Sequence, residues 1–376
     1  MDPNHWSFLA EGNQNIVLKY IGQDSSYLGH VLRVQKDKST DARFHPSFTK
    51  EIIGNLLGHE YVVPLTCVPV SFNFLKILET NITQDRPDHR RARTIDLHQL
   101  FVCLAPDLTF RSLVTVEIKP KWGFKPDSLF IQDKHQSLKA SQCRFCMHTF
   151  YKHDRHDMDY CPLDLYSMDL PRMRRALNAL ERESLHDKMR IMQNHTNNNA
   201  LANTSTLLNL VAHILYQESL LPRLKKLQKE LDQLNIEGIF PIYNKLVQQQ
   251  TSFPLYDMDR WRKVIHCFHE RKKSTLSLSD EMDSNLELQY IYEHVLSAIL
   301  KDCSIFITIM KDDDRSSSIG NNKKTIQLED GIHYTYMIKV VDTDIKKISK
   351  IPSWYDLDQR IMEHVLQHEN PKVCHD

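Results

Sequence analysis

Val116-Glu117-Ile118-Lys119-Pro120-Lys121-Trp122-Gly123-Phe124 alternates apolar with charged or Pro positions and then enters a Pro/Gly turn, the pattern of a strand leaving a sheet. Extended backbone would put Glu117, Lys119 and Lys121 on one face. Two cations beside a carboxylate suit a polyphosphate. The same residues also suit a solvated strand edge, where Lys and Pro discourage pairing with other chains. The other segments decide between these readings.

The chain has 376 residues, enough for two lobes rather than one. Its 48 basic residues balance 48 acidic ones, so no global field draws it to nucleic acid or membrane, and any polyanion site must gather its cations locally. No run approaches the roughly 18 apolar residues of a membrane span, and the start lacks a signal-peptide pattern. Eight scattered cysteines form no disulfide framework. These features lead us to expect a soluble intracellular monomer, in the nucleus or cytoplasm, with no nucleic-acid or membrane partner.

Upstream, Asn15–Ile21 reads as a strand, followed by a Gly22/Asp24/Ser25/Ser26 turn and a second strand within Tyr27–Lys36. The preceding loop Glu11-Gly12-Asn13-Gln14-Asn15 is either an ordinary turn or a cover for nucleotide phosphates. Arg33 alternates with apolar neighbours on the second strand. Arg86, His89, Arg90, Arg91 and Arg93 form a basic patch, either solvated or in contact with an anion. Phe101–Leu108 is an apolar strand ending in Pro106-Asp107.

Downstream, Arg144, His148 and Lys152 recur at i, i+4, i+8 and make one cationic stripe if helical. Cys143, Cys146, His153, His156 and Cys161 raise a zinc site, but the irregular second group argues against one. Periodicity predicts helices over 171–193, over 205–234 with a break at Pro222, and within 237–275. A further helix from about Ser279 to Leu300, with Leu288, Ile291, Tyr292, Val295 and Ile299 on one side, delivers Lys301-Asp302-Cys303-Ser304 to an apolar strand at Ile305–Ile309. Residues 194–204 and 312–324 read as polar loops. After a strand containing Tyr334, Tyr336, Ile338 and Val340 come Asp342 and Asp344, at i and i+2, then Lys346 and Lys350. Paired carboxylates suit magnesium.

In this order the segments resemble the inositol-pentakisphosphate 2-kinases. Glu117–Lys121 matches that family's EIKPK signature, and Val31–Lys36 its Val-Leu-Arg-x-x-Lys strand. Glu11–Asn15 is similar to its GEGxxN loop, with Ala10 for the first glycine. Arg144–Lys152 resembles RFxMHQxxK with Thr149 for Gln, Tyr160–Ser167 a Y-x-PLDL segment, and Lys301–Ile305 is nearly verbatim KDCSI. Asp342–Asp358 resembles DLDxKxxxxIPxxxxLD, with Thr343 for Leu and Trp354 where a substrate tyrosine can occur. The family's Asn-Asn contact is not carried over, because Asp187 and Lys188 stand there.

The resemblance implies an α+β, two-lobed, protein-kinase-like fold: a mainly β nucleotide-binding lobe over 1–110, and a lobe over 111–376 carrying the inositol-phosphate and catalytic residues. It implies ATP and Mg2+ as cofactors and inositol pentakisphosphate as partner and acceptor, phosphorylated at its 2-hydroxyl. Glu11, Gly12, Asn13, Asn15, Arg33, Asp107 and Glu117 would meet the nucleotide. Lys119, Asp302 and His148 would be catalytic; Lys121, Arg144, Lys152, Lys346 and Lys350 would bind substrate; Asp302 and Asp342 would hold metal. A non-catalytic inositol-phosphate scaffold, a kinase for another inositol phosphate and a zinc-stabilised interaction module are the competing readings. No His-Arg-Asp loop or Asp-Phe-Gly motif supports a protein kinase.

Overall fold

A computed structural model describes all residues except 37–41, 155–158, 183–187, 194–200, 202, 272–282, 311–322, 328–332 and 369–371. Two compact units emerge, one containing residues 1–112 and the other residues 113–309 and 324–376.

In the first unit β1 (Trp6–Glu11), β2 (Asn15–Tyr20), β3 (His30–Gln35), β4 (Thr66–Pro69) and β5 (Phe101–Pro106) form a five-stranded sheet in the order β1-β2-β3-β5-β4. Alternation decides its buried face: Ile16, Leu18 and Tyr20 of β2 join Leu32, Val34 and Val102. Helix α1 (Phe72–Ile82) packs Phe74, Leu75, Leu78 and Ile82 against them. The Ser71 side chain caps α1 by accepting from the Phe74 N–H at 3.2 Å.

The second unit is built on another five-stranded sheet, ordered β7-β6-β8-β10-β9. Its strands are β6 (Val114–Ile118), β7 (Met189–Gln193), β8 (Ser304–Met310), β9 (Lys324–Gln327) and β10 (His333–Val341). The opening stretch of the sequence supplies β6, paired antiparallel on both sides, with Glu117 opposite Arg190 of β7 and Phe306 of β8. Around it lie α2 (Asp133–Ser141), α3 (Arg144–His153), α4 (Leu170–Arg182), α5 (Thr204–Gln217), α6 (Leu220–Glu230), α7 (Asn235–Gln248), α8 (Met258–Arg271), α9 (Ser284–Leu300) and α10 (Ile351–Leu366).

Three sequence expectations change. The helix expected over 171–193 ends at Arg182, and Met189–Gln193 is a strand, because backbone pairing with β6 outweighs the local pattern. The break expected at Pro222 comes earlier, between Gln217 and Leu220; proline is tolerated in the first turn of α6, where amides lack helical partners anyway. The strand through Lys119 and Lys121 stops at Ile118, and Lys121 turns into the left-handed region at φ 63°. The expected loops over 194–204 and 312–324 lie largely outside the described residues.

Candidate active site

Helix α9 is buried on nearly every side, so it is a rigid strut rather than an amphipathic surface helix. It ends at Leu300 and delivers Asp302 to the approach of β8, the central strand beside β6. Lys121, just past the end of β6, places Nζ 2.8 Å from Asp302 Oδ1, and Lys346, past the end of β10, places Nζ 2.7 Å from Oδ2. Desolvation pushes the Asp302 carboxyl up, but the two ammonium groups outweigh it and bring the pKa down to about 2.

Beside this pair, Lys119 Nζ lies 3.6 Å from Asp342 Oδ2. The Ser304 hydroxyl is within reach of Glu117 Oε1 at 2.9 Å and Asp342 Oδ2 at 3.2 Å, and its single O–H donates to one of them at a time. Asp342, like Lys121, has a left-handed backbone, with φ 59°. Non-glycine residues in that region cost about 1 kcal/mol or more and cluster at functional sites. Glu117, Lys119, Lys121, Asp302, Asp342 and Lys346 are thus gathered from three distant segments. Ser304 joins them unforeseen; its position after KDC was the only available signal.

The turn after Lys121 is gripped by cations. Lys301 Nζ stands 4.0 Å from the Trp122 ring centroid and the Arg144 guanidinium 5.9 Å from it. Lys301 is itself buried and bonds Asp232 at 2.5 Å; the other Asp232 oxygen meets His294 Nδ1 at 2.7 Å. Arg144 is fixed from the opposite direction, with Nε donating to Asp358 Oδ1 at 3.1 Å while Lys139 takes Oδ2 at 2.8 Å. Lys139 also donates to Glu237 at 2.6 Å and Asn235 at 3.0 Å, so no charge in this knot is left buried alone.

The cationic stripe expected on α3 forms, because Arg144–His153 is one helix with Cys143 as its N-cap. Burial pushes His148 down, and the positive charges of Arg144, Lys152, Lys121 and Lys188 push it further, to about 3. His148 is therefore neutral at pH 7 and offers a hydrogen bond, not a charge. Lys152 and Lys350 are exposed.

In the first unit the nucleotide candidates are tightly engaged. The buried Glu11 carboxylate accepts from Lys36 at 2.6 Å and from Arg86 at 2.9 Å. Arg90 donates to the Glu11 carbonyl, Arg93 to the Asn13 carbonyl and Lys36 to the Gly12 carbonyl, while the Gly12 N–H reaches Asn15 O at 2.9 Å. These parts of the basic patch brace the 11–15 loop, a use that neither sequence reading anticipated. Arg33 lies on β3 opposite Val17 and Cys103. The Asp107 carboxylate accepts from Thr109 N and Oγ1, closing its own turn.

A second constellation lies at the N-terminus of α3. Cys143, Cys146, Cys161 and Cys374 are buried, with all four sulfurs within 4.8 Å of one another. Cys143 and Cys161 are 3.8 Å apart, matching the edge of about 3.8 Å that a tetrahedron with metal–sulfur bonds of about 2.3 Å requires. Cys143 Sγ also accepts the Cys146 amide at the helix N-terminus, while the crowded neighbouring thiols push its own thiol pKa up. The fourth member is Cys374, not His153, which is exposed, or His156, which lies outside the described residues. Nothing in the Cys-x-x-Cys spacing announced a residue so far downstream.

Lysines converging on carboxylates equip a protein for phosphoryl transfer, which demands positioning and charge neutralisation more than covalent chemistry. Comparison with known proteins identifies the class as kinase. A family model for inositol-pentakisphosphate 2-kinase matches residues 8–360. A protein of that name from Cryptococcus neoformans var. neoformans serotype D is 27% identical, over 97% of this chain and 94% of its own. Namesakes from Danio rerio and Arabidopsis thaliana are 25% and 26% identical, over 98% and 96% of this chain and 94% and 93% of theirs. The chain belongs to the inositol-pentakisphosphate 2-kinase family.

Proposed function

We propose that the chain transfers the terminal phosphoryl group of ATP to the 2-hydroxyl of inositol 1,3,4,5,6-pentakisphosphate, giving the hexakisphosphate, phytic acid. The observation that carries this reading is the clamp of Lys121 and Lys346 on the two oxygens of Asp302, beside Lys119 and Asp342. An acceptor with on the order of −8 to −10 charges, at about −1.5 to −2 per phosphate, needs such convergence. Lys121, Lys346, Arg144, Lys152 and Lys350 are its assigned contacts.

Asp302 orients the acceptor hydroxyl. With its pKa near 2 it is a weak base, so alignment matters more here than proton removal. Lys119 meets the negative charge on the moving phosphoryl group, and His148, neutral, contributes a hydrogen bond. Magnesium prefers oxygen ligands, and the half-exposed Asp342 carboxylate fits it; Asp302 would have to give up a lysine to join. Bound there, the ion would neutralise charge on the nucleotide phosphates. Glu117, Arg33, Asp107 and the backbone of Glu11, Gly12, Asn13 and Asn15 are assigned to the nucleotide. We read the first unit as the small lobe and the second as the large lobe of a kinase-like fold, a reading supported by the β-rich make-up of one and the helix-rich make-up of the other.

We further assign a zinc ion to Cys143, Cys146, Cys161 and Cys374. Four buried sulfurs within 4.8 Å of one another support a closed structural site that leaves no position for substrate. All eight cysteines are free of disulfides, which supports a reducing location such as the cytoplasm or nucleus. Among the described residues no helix is long and apolar enough to cross a membrane.

The deciding experiment incubates purified protein with ATP, magnesium and inositol 1,3,4,5,6-pentakisphosphate and identifies the product. Inositol hexakisphosphate is expected. Binding without ATP consumption would make the chain a scaffold, and turnover confined to another inositol phosphate would reassign its acceptor.

A further inference from the structure

Gln228 lies inside α6, remote in sequence from every residue assigned to the chemistry, and is fully buried. A buried amide must have its polar atoms partnered, and those of Gln228 are spent on two backbone segments. Its Oε1 accepts from Gly123 N–H at 2.8 Å, and its Nε2 donates to Lys121 O at 3.1 Å and Leu300 O at 2.9 Å. The Tyr166 hydroxyl donates to the same Lys121 carbonyl at 3.3 Å.

Leu300 O is one of the carbonyls left without a helical partner at the end of α9, the helix that delivers Asp302. Lys121 and Gly123 flank Trp122 in the turn where the backbone goes left-handed at Lys121. That conformation costs energy and persists only where its surroundings over-determine it. One side chain therefore fastens both supports of the 2.8 Å contact between Lys121 and Asp302. The underside of the tie is fixed as well, since Ser297 Oγ of α9 donates to the Gln228 carbonyl at 2.7 Å.

We propose that Gln228 is a positioning residue that sets the geometry of the Lys121–Asp302 pair, with Tyr166 as its auxiliary. The inference rests on the functional reading above, because the pair matters only if it meets the acceptor. Removing the amide's hydrogen bonds frees the turn to relax toward ordinary backbone and draws the ammonium away from the carboxylate. Displacement of about 1 Å costs up to ~100-fold in rate where reacting groups must be aligned.

The test compares wild type with Gln228→Met, which keeps the volume and loses every side-chain hydrogen bond, and with Tyr166→Phe, which loses one donor to the Lys121 carbonyl. Folded fraction is read by circular dichroism, turnover by hexakisphosphate production, and the Asp302 carboxyl by its carbon NMR titration without substrate. Gln228→Met should lower kcat roughly 10- to 100-fold with the KM for ATP unchanged, and raise the Asp302 midpoint from about 2 toward the ordinary 3.8. Tyr166→Phe should move both in the same direction by less, and it stands in for Gln228→Met should that variant not fold. A folded variant with wild-type kcat and an unmoved Asp302 midpoint overturns the proposal. So does a loss of activity that only tracks the folded fraction. If wild type makes no hexakisphosphate, the functional reading falls, while the NMR midpoint still decides what Gln228 does.

Discussion

Lys346 and Asp302, 44 residues apart in sequence, meet at 2.7 Å, and Lys121 occupies the carboxylate's other oxygen. Half-exposed ion pairs of this kind are worth about 0–1 kcal/mol in stability, so their place in the structure points to function. Asp302→Ala and Lys119→Ala should each cost on the order of 10²–10⁴ in kcat/KM with the melting temperature nearly unchanged. Near-normal turnover in either folded variant would refute its assignment.

Lys152 and Lys350 are exposed, which suits peripheral contacts to a polyphosphate better than contacts to the moving group. Each alanine variant should raise the KM for the inositol phosphate and leave kcat within about two-fold, the signature of lost uniform binding. Affinity should fall steeply between low and physiological salt, as exposed charges become screened beyond about 8 Å. A salt-independent dissociation constant from calorimetry would argue against the cationic pocket.

His148 carries a pKa near 3 in the substrate-free protein, below the ordinary 6.5. It should stay neutral from pH 8 to pH 5, and its ring resonances should not titrate in that window. A midpoint near 6.5 would mean that neither burial nor the surrounding cations act on it as described.

Asp232 is buried between Lys301 and His294, and despite the cost of burial its pKa is lowered from 3.8 to about 2. A depressed carboxylate stabilises the fold fully above its unfolded pKa and loses that contribution as pH falls from about 4 to about 2. Asp232→Asn leaves the buried Lys301 ammonium without its counter-charge, and should cost about 3–5 kcal/mol in denaturant unfolding at pH 7. The deficit should shrink in acid.

The four-sulfur cluster should hold about one zinc per chain by elemental analysis. Chelation should lower the melting temperature, and Cys374→Ser should do the same without touching the lysine–aspartate site. Metal-free protein with unchanged stability would leave the cluster as a plain thiol core.

The strand residues Val116–Ile118 and the cationic face of α3 were legible in the sequence because both rest on local periodicity. The left-handed turn at Lys121 was not, since nothing in Lys-Pro-Lys-Trp-Gly fixes which residue absorbs the reversal. Met189–Gln193 misled for a related reason: five residues of mixed pattern take the conformation their neighbours pair with, and β6 is remote in sequence. The site's motifs gave the residue types that gather at Asp302, yet buried Lys139 and Lys301 look like any surface charge until tertiary structure supplies their partners. Cys374 and Gln228 escaped notice for the same reason.

Trp122 follows directly on Lys121 and holds its indole among the Lys301 and Arg144 cations. Indole emission responds to nearby charge, so the chain carries its own optical gauge of whatever anion arrives beside it. A label-free titration with the inositol phosphate should shift that fluorescence, and Trp122→Phe should shrink the response.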